Sequence, residues 1–308
     1  MANRASPDRQ RAILSFRPQM PQTVVVIGCA GQLGTELTRV FQQRGWNVHG
    51  LARKQLNITE LAEVESRLAP LEPDLVINAA AYNHVDVAES EPQAAYAVNG
   101  LAVRNLAIAC RQNDAKLVHF STDYVFDGVT NRPYAETDMP RPIGAYGVSK
   151  LAGEFYARAY ADRSLVIRTS GVFGPAGRHT ARGNFVELML RLAGGGQPIR
   201  VVEDHVASPT YAPELARLTA DLVDRQVEGV VHGGGGEAIS WYNFAKLIFS
   251  TAGLSPALRP TNEREYRTAA RRPKFSALAN ERAAQAGIPP MPPLAECVQR
   301  YLAERGNA

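Results

Sequence analysis

Short, almost wholly apolar runs rich in β-branched residues recur along the first half of the chain, and a segment with helical periodicity follows each of them. The runs are TVVVI (23–27), DLVIN (74–78), KLVHFS (116–121) and SLVIRT (164–169). Continuous apolar runs are typical of strands that are buried on both faces, as in a parallel sheet. Strand–helix alternation at this spacing predicts an α/β fold with a doubly wound parallel sheet.

The length of 308 residues is enough for one large domain or two modest ones. After residue 170 the alternation loosens, which predicts a smaller α/β substrate-binding domain interleaved with returns to the sheet. We expect a disordered tail at 1–20, a dinucleotide-binding domain at 21–171 and about 198–232, and a substrate-binding domain at about 172–197 and 233–308.

Charge and composition exclude several classes of protein. The 34 Lys and Arg against 30 Asp and Glu give a formal net charge of +4, and the basic residues are dispersed, which argues against a nucleic-acid partner. No apolar run reaches the length of a membrane span, so no membrane partner is expected. The three cysteines are far apart without C-x-x-C spacing, which argues against a disulfide framework or a zinc site. We therefore expect a cytoplasmic protein without a metal.

A glycine pattern follows the first predicted strand. Gly28, Gly31 and Gly34 stand between that strand and a helix. Glycines let the backbone approach a pyrophosphate, and a helix N-terminus favours its charge. The pattern predicts a Rossmann-type dinucleotide site, and a plain glycine-rich turn is the alternative.

The end of the second predicted strand bears on the choice of cofactor. Folds that select NAD usually carry an acidic residue there, which binds the ribose 2′-hydroxyl. Here Ala52 stands at that position and Arg53 follows it. Arg53 either pairs with a 2′-phosphate or is an ordinary surface side chain. The first interpretation favours NADPH, with NADH as the alternative cofactor.

A third pattern points to acid–base chemistry. Tyr146 and Lys150 are four residues apart in a predicted helix, so their side chains share one helix face. A tyrosine is a poor acid–base group at neutral pH unless a cation stabilises its phenolate, and Lys150 supplies one. Thr122 follows the KLVHF strand at the edge where such sheets bind ligands, and its hydroxyl can hydrogen-bond a carbonyl while Tyr146 delivers a proton.

Taken together, these residues resemble the extended short-chain dehydrogenase/reductase superfamily and, more narrowly, the dTDP-4-dehydrorhamnose reductase family. The resemblance runs from about residue 23 to residue 302. The motifs that carry it are GCAGQLGTEL (28–37), LNIT (56–59), NAAAYNHVDVAESEP (78–92), STDYVFDG (121–128), YAETDMPRPIGAYGVSKLAGE (134–154), RTSGVFG (168–174), GNFVELMLRLA (183–193), VVEDHVASPTYAPELA (201–216) and RRPKFSALA (271–279).

The resemblance implies site residues by position. It places the catalytic residues on Thr122, Tyr146 and Lys150. Arg53 and the catalytic Tyr146 and Lys150 are expected to bind the cofactor. The further cofactor-binding residues that the resemblance implies are Gly28, Gly31, Gln32, Leu33, Gly34, Asn57, Ile58, Ala79, Ala80, Ala81 and Tyr82. The implied substrate-binding residues are Thr122, Asp123, Tyr124, Gly171 and Asn184.

The chain departs from the family pattern at several positions. Asn83 stands where the family has Thr, and Asn57 stands where it usually has Asp. Gly171 replaces the Trp of the family's RTSW motif, which would pack against the sugar. We therefore expect Gly171 to leave room for a different or bulkier hexose, or to weaken binding.

The resemblance implies NADPH-dependent reduction of the C4 keto group of dTDP-4-dehydro-L-rhamnose to dTDP-L-rhamnose, with Tyr146 as the proton donor. The alternatives are a reductase or epimerase of another nucleotide keto-sugar, or a non-catalytic NADP-binding regulatory subunit. A nucleotide sugar is the expected ligand, and the expected assembly is a monomer or a homodimer.

Overall fold

A computed structural model describes residues 22–180 and 183–306 of the chain. The expected disordered tail at 1–20 lies outside these residues. The strands are β1 (Thr23–Ile27), β2 (Asn47–Leu51), β3 (Leu75–Asn78), β4 (Lys116–Thr122), β5 (Ser164–Thr169), β6 (Ile199–Val202), β7 (Val206–Ala207), β8 (Gly229–His232), β9 (Ile239–Ser240) and β10 (Leu258–Thr261).

The helices alternate with the strands through the first half of the chain. They are α1 (Gln32–Gln43), α2 (Leu61–Leu68), α3 (Val87–Ser90), α4 (Pro92–Tyr96), α5 (Ala102–Gln112), α6 (Ala145–Tyr160), α7 (Phe185–Ala193), α8 (Ala212–Asp224), α9 (Trp241–Thr251), α10 (Glu281–Gln285) and α11 (Leu294–Gly306). Within the part of the chain that the structure describes, no helix is long and apolar enough to cross a membrane.

Six strands form one parallel sheet in the order β2-β1-β3-β4-β5-β8. Successive residues of a strand point to opposite faces, so an apolar run serves two cores at once. In β1, Val24 and Val26 pack into the core formed with α1 and α8, whereas Val25 and Ile27 pack into the core formed with α2, α5 and α6. The predicted doubly wound α/β fold is confirmed.

The helical segment over residues 92–112 is interrupted. A π-helical turn at Ala97–Leu101 separates α4 from α5. The turn places the buried Asn99 so that its side-chain nitrogen donates to the Tyr82 carbonyl at 3.0 Å and to the Ser149 hydroxyl at 3.0 Å. The extra residue in the turn therefore connects the segment after β3 with α6, a long-range contact that helical periodicity does not reveal.

A second, smaller body of structure has its own core. Phe173, Val186, Phe244, Ile248 and Tyr301 are among its fully buried side chains. Two small sheets accompany it, in which β6 pairs with β10 and β7 pairs with β9. In contrast to the expected boundary near residue 198, β6 pairs outside the six-stranded sheet, and it is β8 that returns to that sheet. The division of the chain into two domains otherwise stays a prediction.

The order of the strands locates the edge where a ligand can bind. The chain winds outward from β1 to β2 in one direction and through β3, β4 and β5 in the other, so a crevice opens at the carboxyl ends of β1 and β3. Gly28 follows β1 with a φ of 78°, and a Cβ there would lie 2.8 Å from the Ala80 backbone nitrogen. Only glycine lets the two loops approach so closely.

The close packing of the glycine turn gives a prediction for stability. A Cβ at Gly34 would lie 2.1 Å from the Gly28 carbonyl oxygen, so Gly34→Ala must displace backbone. We expect Gly34→Ala to lower the free energy of unfolding by roughly 1–3 kcal/mol, measured by urea denaturation. Gly194→Ala is the matched control, because its φ is −73° and its Cβ would lie 3.5 Å from the nearest atom. Equal stability of the two variants would contradict the steric account.

Candidate active site

The candidate catalytic residues meet where α6 packs against the end of β4. Thr122 is the last residue of β4, and Tyr146 and Lys150 lie in the first two turns of α6. The helix approaches closely because Gly147 faces the backbone after β4, where a Cβ would lie 2.2 Å from the Tyr124 carbonyl oxygen. The structure therefore brings the three predicted residues to one edge of the sheet.

Lys150 is buried, with 3% of its surface exposed. Its Nζ donates a hydrogen bond to the Phe120 carbonyl oxygen at 2.5 Å. Burial lowers the pKa of Lys150 to about 8, and the negative charge of Glu154 acts in the opposite direction. A cation with such a pKa is poised to respond to pH near neutrality.

The Tyr146 hydroxyl lies near an amide that the sequence patterns do not assign to the site. It donates to the Asn83 Oδ1 at 3.3 Å, and the ring packs edge-on against Tyr124 with 5.9 Å between ring centroids. Burial, followed by the charge of Asp123, raises the pKa of Tyr124 to about 12, so Tyr124 stays a neutral phenol. The one signal for Asn83 in the sequence is that it replaces the family's Thr.

Asp123 connects three segments of the chain rather than standing open to solvent. Its carboxylate accepts hydrogen bonds from the Thr122 hydroxyl at 3.0 Å, from Ser170 at 2.8 Å and from Ser276 at 2.6 Å. Burial raises the pKa of Asp123, and these hydroxyl groups oppose the rise. The carboxylate therefore fixes Thr122 to the segment after β5 and to the C-terminal part of the chain. A direct contact of Asp123 with substrate stays a prediction.

The predicted cofactor residues after β3 are held by two asparagines. The Asn78 Oδ1 accepts from the Ala80 backbone N–H at 3.1 Å. The Asn99 Oδ1 accepts from the Tyr82 backbone N–H at 2.8 Å. Residues 79–82 are thereby fixed beside the glycine turn, and their contact with a cofactor stays a prediction.

Gln32 and Asn184, predicted for cofactor and substrate respectively, contact each other. The Asn184 Nδ2 donates to the Gln32 Oε1 at 2.9 Å, and Gln32 Nε2 donates to the Val172 carbonyl at 2.9 Å. Asn184 also caps α7 by accepting from the Glu187 backbone N–H at 3.0 Å. This pair joins the start of α1 to the start of α7. It therefore connects a predicted cofactor residue with a predicted substrate residue.

The remaining predicted cofactor residues lie close to the glycine turn or follow β2. Leu33 packs against the core beside α1. Ile58 is buried, whereas Arg53 and Asn57 are exposed. The Asn57 Oδ1 accepts from the Thr59 hydroxyl at 2.8 Å. Because β2 is the neighbour of β1, these residues share the sheet edge with the glycine turn.

The space beside Gly171 is filled. Gly171 has a φ of 50°, and a Cβ there would lie 3.0 Å from the Trp241 ring. Trp241 itself packs on Phe185 with 4.7 Å between ring centroids. The expectation that a glycine at this position leaves open room is therefore wrong, because an indole from the start of α9 occupies that room.

The arrangement supports proton transfer to a carbonyl at the sheet edge. It combines a phenol, a buried ammonium one helical turn away and a hydroxyl at the end of β4. A phenol that donates its proton becomes an anion, which a neighbouring cation stabilises.

The comparisons with known proteins agree with this geometry. The chain matches the family model described as RmlD substrate binding domain over residues 22–306. It is 39% identical over 285 residues to the spore coat polysaccharide biosynthesis protein SpsK of Bacillus subtilis (strain 168), and the match covers 92% of this chain and 98% of that protein. It is 38% identical over 299 residues to a dTDP-4-dehydrorhamnose reductase of Mycolicibacterium smegmatis, and the match covers 96% of this chain and 89% of that protein.

A solved structure is also similar over most of the chain. The dTDP-4-dehydrorhamnose reductase of Bacillus anthracis str. Ames, in complex with NADP, has a TM-score of 0.88 at 34% identity, and the match covers 92% of this chain and 100% of that one. These matches confirm the resemblance inferred from the sequence motifs, and with it an NAD(P)H-dependent oxidoreductase.

The buried Lys150 gives a prediction for stability against pH. Its pKa is about 8 in the folded chain, against 10.5 for a lysine exposed to water, so between these values the unfolded chain binds more protons than the folded one. Stability must therefore rise with pH across this window. Relative to Lys150→Met, the wild-type protein should gain on the order of 3 kcal/mol of unfolding free energy across the window, measured by urea denaturation. If the difference in unfolding free energy between the two proteins stays constant across this pH window, Lys150 is not desolvated.

Proposed function

Because the chain belongs to the RmlD substrate binding domain family, we propose that it reduces the C4 keto group of dTDP-4-dehydro-L-rhamnose to give dTDP-L-rhamnose, with NADPH as the reductant. The reductase from Mycolicibacterium smegmatis and the NADP complex from Bacillus anthracis support the substrate and the cofactor. The single observation that carries the proposal is the buried Lys150 ammonium, which lies on α6 one helical turn from Tyr146, where α6 packs against the end of β4.

The residues present fit a dinucleotide. The turn between β1 and α1 has glycine at 28 and 31, and the first turn of α1 has glycine at 34. A Cβ at any of the three would come within 3.2 Å of backbone. The first turn of the twelve-residue α1 carries no acidic side chain, so its positive end is free to face an anion. Arg53 is exposed after β2, where it can pair with a 2′-phosphate.

Bound NADPH would supply a hydride to C4 of the sugar. The proton for the carbonyl oxygen comes from the Tyr146 hydroxyl, and the electron pair of the carbonyl bond moves to that oxygen as the new C–H bond forms. The Lys150 ammonium stabilises the phenolate that remains. The Thr122 hydroxyl, which donates to Asp123 Oδ1 at 3.0 Å in this structure, would turn its single proton to the carbonyl oxygen and fix the direction of the carbonyl.

Removal of the phenolic hydroxyl tests the role of Tyr146. We expect Tyr146→Phe to lower kcat by about 10²–10⁴-fold, because a positioned general acid contributes that much, while the Kd for NADPH stays within a few-fold of the wild-type value. Tyr156→Phe is the matched control on the same helix, since its hydroxyl pairs with the Tyr96 hydroxyl at 3.2 Å in an exposed contact. Near-normal turnover of Tyr146→Phe would remove Tyr146 from the reaction.

Replacement of Arg53 tests the choice of cofactor. A charge-assisted hydrogen bond contributes about 1.5–3 kcal/mol, so Arg53→Ala should raise the Kd for NADPH about 10- to 100-fold and leave the Kd for NADH unchanged. Lys54→Ala, which removes the adjacent exposed cation, should change neither constant. Equal changes for both cofactors would show that Arg53 does not contact the 2′-phosphate.

The proposal as a whole is tested by following NADPH oxidation at 340 nm with purified protein and freshly generated dTDP-4-dehydro-L-rhamnose, with NADH in parallel. Oxidation that yields a rhamnose nucleotide supports it. NADPH binding without oxidation contradicts the proposed substrate and favours another nucleotide keto-sugar. The same result with every keto-sugar tested favours a regulatory subunit that binds NADP.

A further inference from the structure

A buried ion pair between Arg168 and Glu154 lies next to the candidate site. Arg168, near the end of β5, donates from Nε to the Glu154 Oε1 at 2.9 Å and from Nη2 to the Glu154 Oε2 at 2.7 Å. The side chains of Arg168 and Glu154 are 4% and 3% exposed. The Arg168 Nη1 is buried without a hydrogen-bond partner within residues 22–180 and 183–306.

Stability alone is a weak reason for such a pair. Removing two charges from water costs several kcal/mol per ion, and apolar residues of similar volume are often as stabilising. The pair also leaves one guanidinium nitrogen unsatisfied among the described residues. The position of the pair is more informative than its strength.

Glu154 is one helical turn beyond Lys150, so the two side chains share a face of α6. Along this face α6 is tied to two consecutive residues of β4. The Lys150 ammonium donates to the Phe120 carbonyl at 2.5 Å, and the Ser121 hydroxyl donates to the Glu154 Oε1 at 2.5 Å. Thr122 is the next residue of the strand.

Lys150 faces few other ionisable groups. On β4, His119 is fully buried, and burial together with the charge of Lys150 holds its pKa well below the usual value, so it is neutral at physiological pH. On β5, the charge of Arg168 is matched by Glu154. On α6, Tyr146 precedes Lys150 by one turn and Glu154 follows it by one turn. Glu154 is thus the negative charge that favours the ammonium form of Lys150.

We propose that the Glu154–Arg168 pair is a positioning device for the reductase site, in which the carboxylate fixes the Ser121–Thr122 end of β4 against α6 and keeps Lys150 protonated. Arg168 orients the carboxylate with two hydrogen bonds, so that its charge stays one helical turn from Lys150 and its Oε1 stays within reach of Ser121. The inference rests on the proposed function, because it assigns a role relative to Tyr146, Lys150 and Thr122. Neither Glu154 nor Arg168 is a catalytic residue in this account.

The test compares the pH profile of kcat for wild-type protein and Glu154→Gln, with the keto-sugar and NADPH saturating. Loss of a neighbouring opposite charge should move the alkaline limb down by about one pH unit, which corresponds to about fivefold lower kcat at pH 8 and little change at pH 6. Glu154→Asp retains the charge and should restore the position of the limb without restoring the full kcat. Glu214→Gln is the matched control, since Glu214 is a 7% exposed carboxylate paired with Arg217 on α8. It should leave the profile unchanged.

A purely structural role predicts a different result. In that case Glu154→Gln lowers the unfolding temperature but keeps the alkaline limb at the wild-type pH, which would overturn the proposal. If Glu154→Gln fails to fold, Ser121→Ala tests the positioning role instead. That variant leaves the ion pair intact and should lower kcat several-fold with the KM for NADPH unchanged, whereas wild-type kcat in Ser121→Ala would overturn the positioning role.

A readout without sugar separates this inference from the proposed function. NADPH affinity is measured by fluorescence titration from pH 6 to pH 10 in wild-type protein and Glu154→Gln, since the family resemblance also places Lys150 among the cofactor-binding residues. A downward shift of the alkaline limb of affinity in Glu154→Gln supports the inference even if the keto-sugar is not reduced. If the wild-type protein reduces the keto-sugar but its alkaline limbs coincide with those of Glu154→Gln in both assays, the inference is contradicted and the proposed function is not.

Discussion

The desolvation of one ammonium group is the constraint on which the candidate site depends. Lys150 loses its water where α6 meets β4, and burial lowers its pKa to about 8. Two groups compensate for the lost water: the Phe120 carbonyl oxygen, which accepts a hydrogen bond from the ammonium, and the carboxylate of Glu154 one helical turn away. The close packing of α6 requires glycine at 147, where a Cβ would lie 2.2 Å from the Tyr124 carbonyl oxygen after β4. It also requires glycine at 153, where a Cβ would lie 2.2 Å from the Asn99 carbonyl oxygen in the π-helical turn. The position of the Lys150 charge therefore depends on the close packing of α6.

The sheet brings the rest of the site to the same edge. Parallel strands end on one side, and the two directions of winding from β1 open a crevice between the glycine turn and residues 79–82. Residues 79–82 are fixed by hydrogen bonds that their backbone N–H groups donate to Asn78 and Asn99, and Asp123 fixes Thr122 to segments far away in sequence. A reacting carbonyl would thus meet groups whose positions are set by buried contacts, which is the condition for precise orientation.

Local patterns predict much of this architecture. The apolar runs identify β1, β3, β4 and β5, because a strand buried on both faces is apolar at almost every position. The glycine spacing and the Tyr146–Lys150 spacing are likewise local, since one turn or one helix face contains each of them. The π-helical turn at Ala97–Leu101 and the pairing of β6 with β10 have no such signal, because both depend on partners that lie 17 or more residues away.

The sequence by itself determined the fold class and the glycine spacing, and it named the candidates for proton transfer, because these follow from periodicity and side-chain chemistry. Only the tertiary structure decided what each of them touches. It placed Trp241 in the space beside Gly171, Asn83 beside the Tyr146 hydroxyl and Ser276 on the carboxylate of Asp123. The physical reason is that burial and hydrogen bonding join distant segments, such as Asp123 and Ser276, which are 153 residues apart, and no local pattern encodes which distant side chain fills a given space.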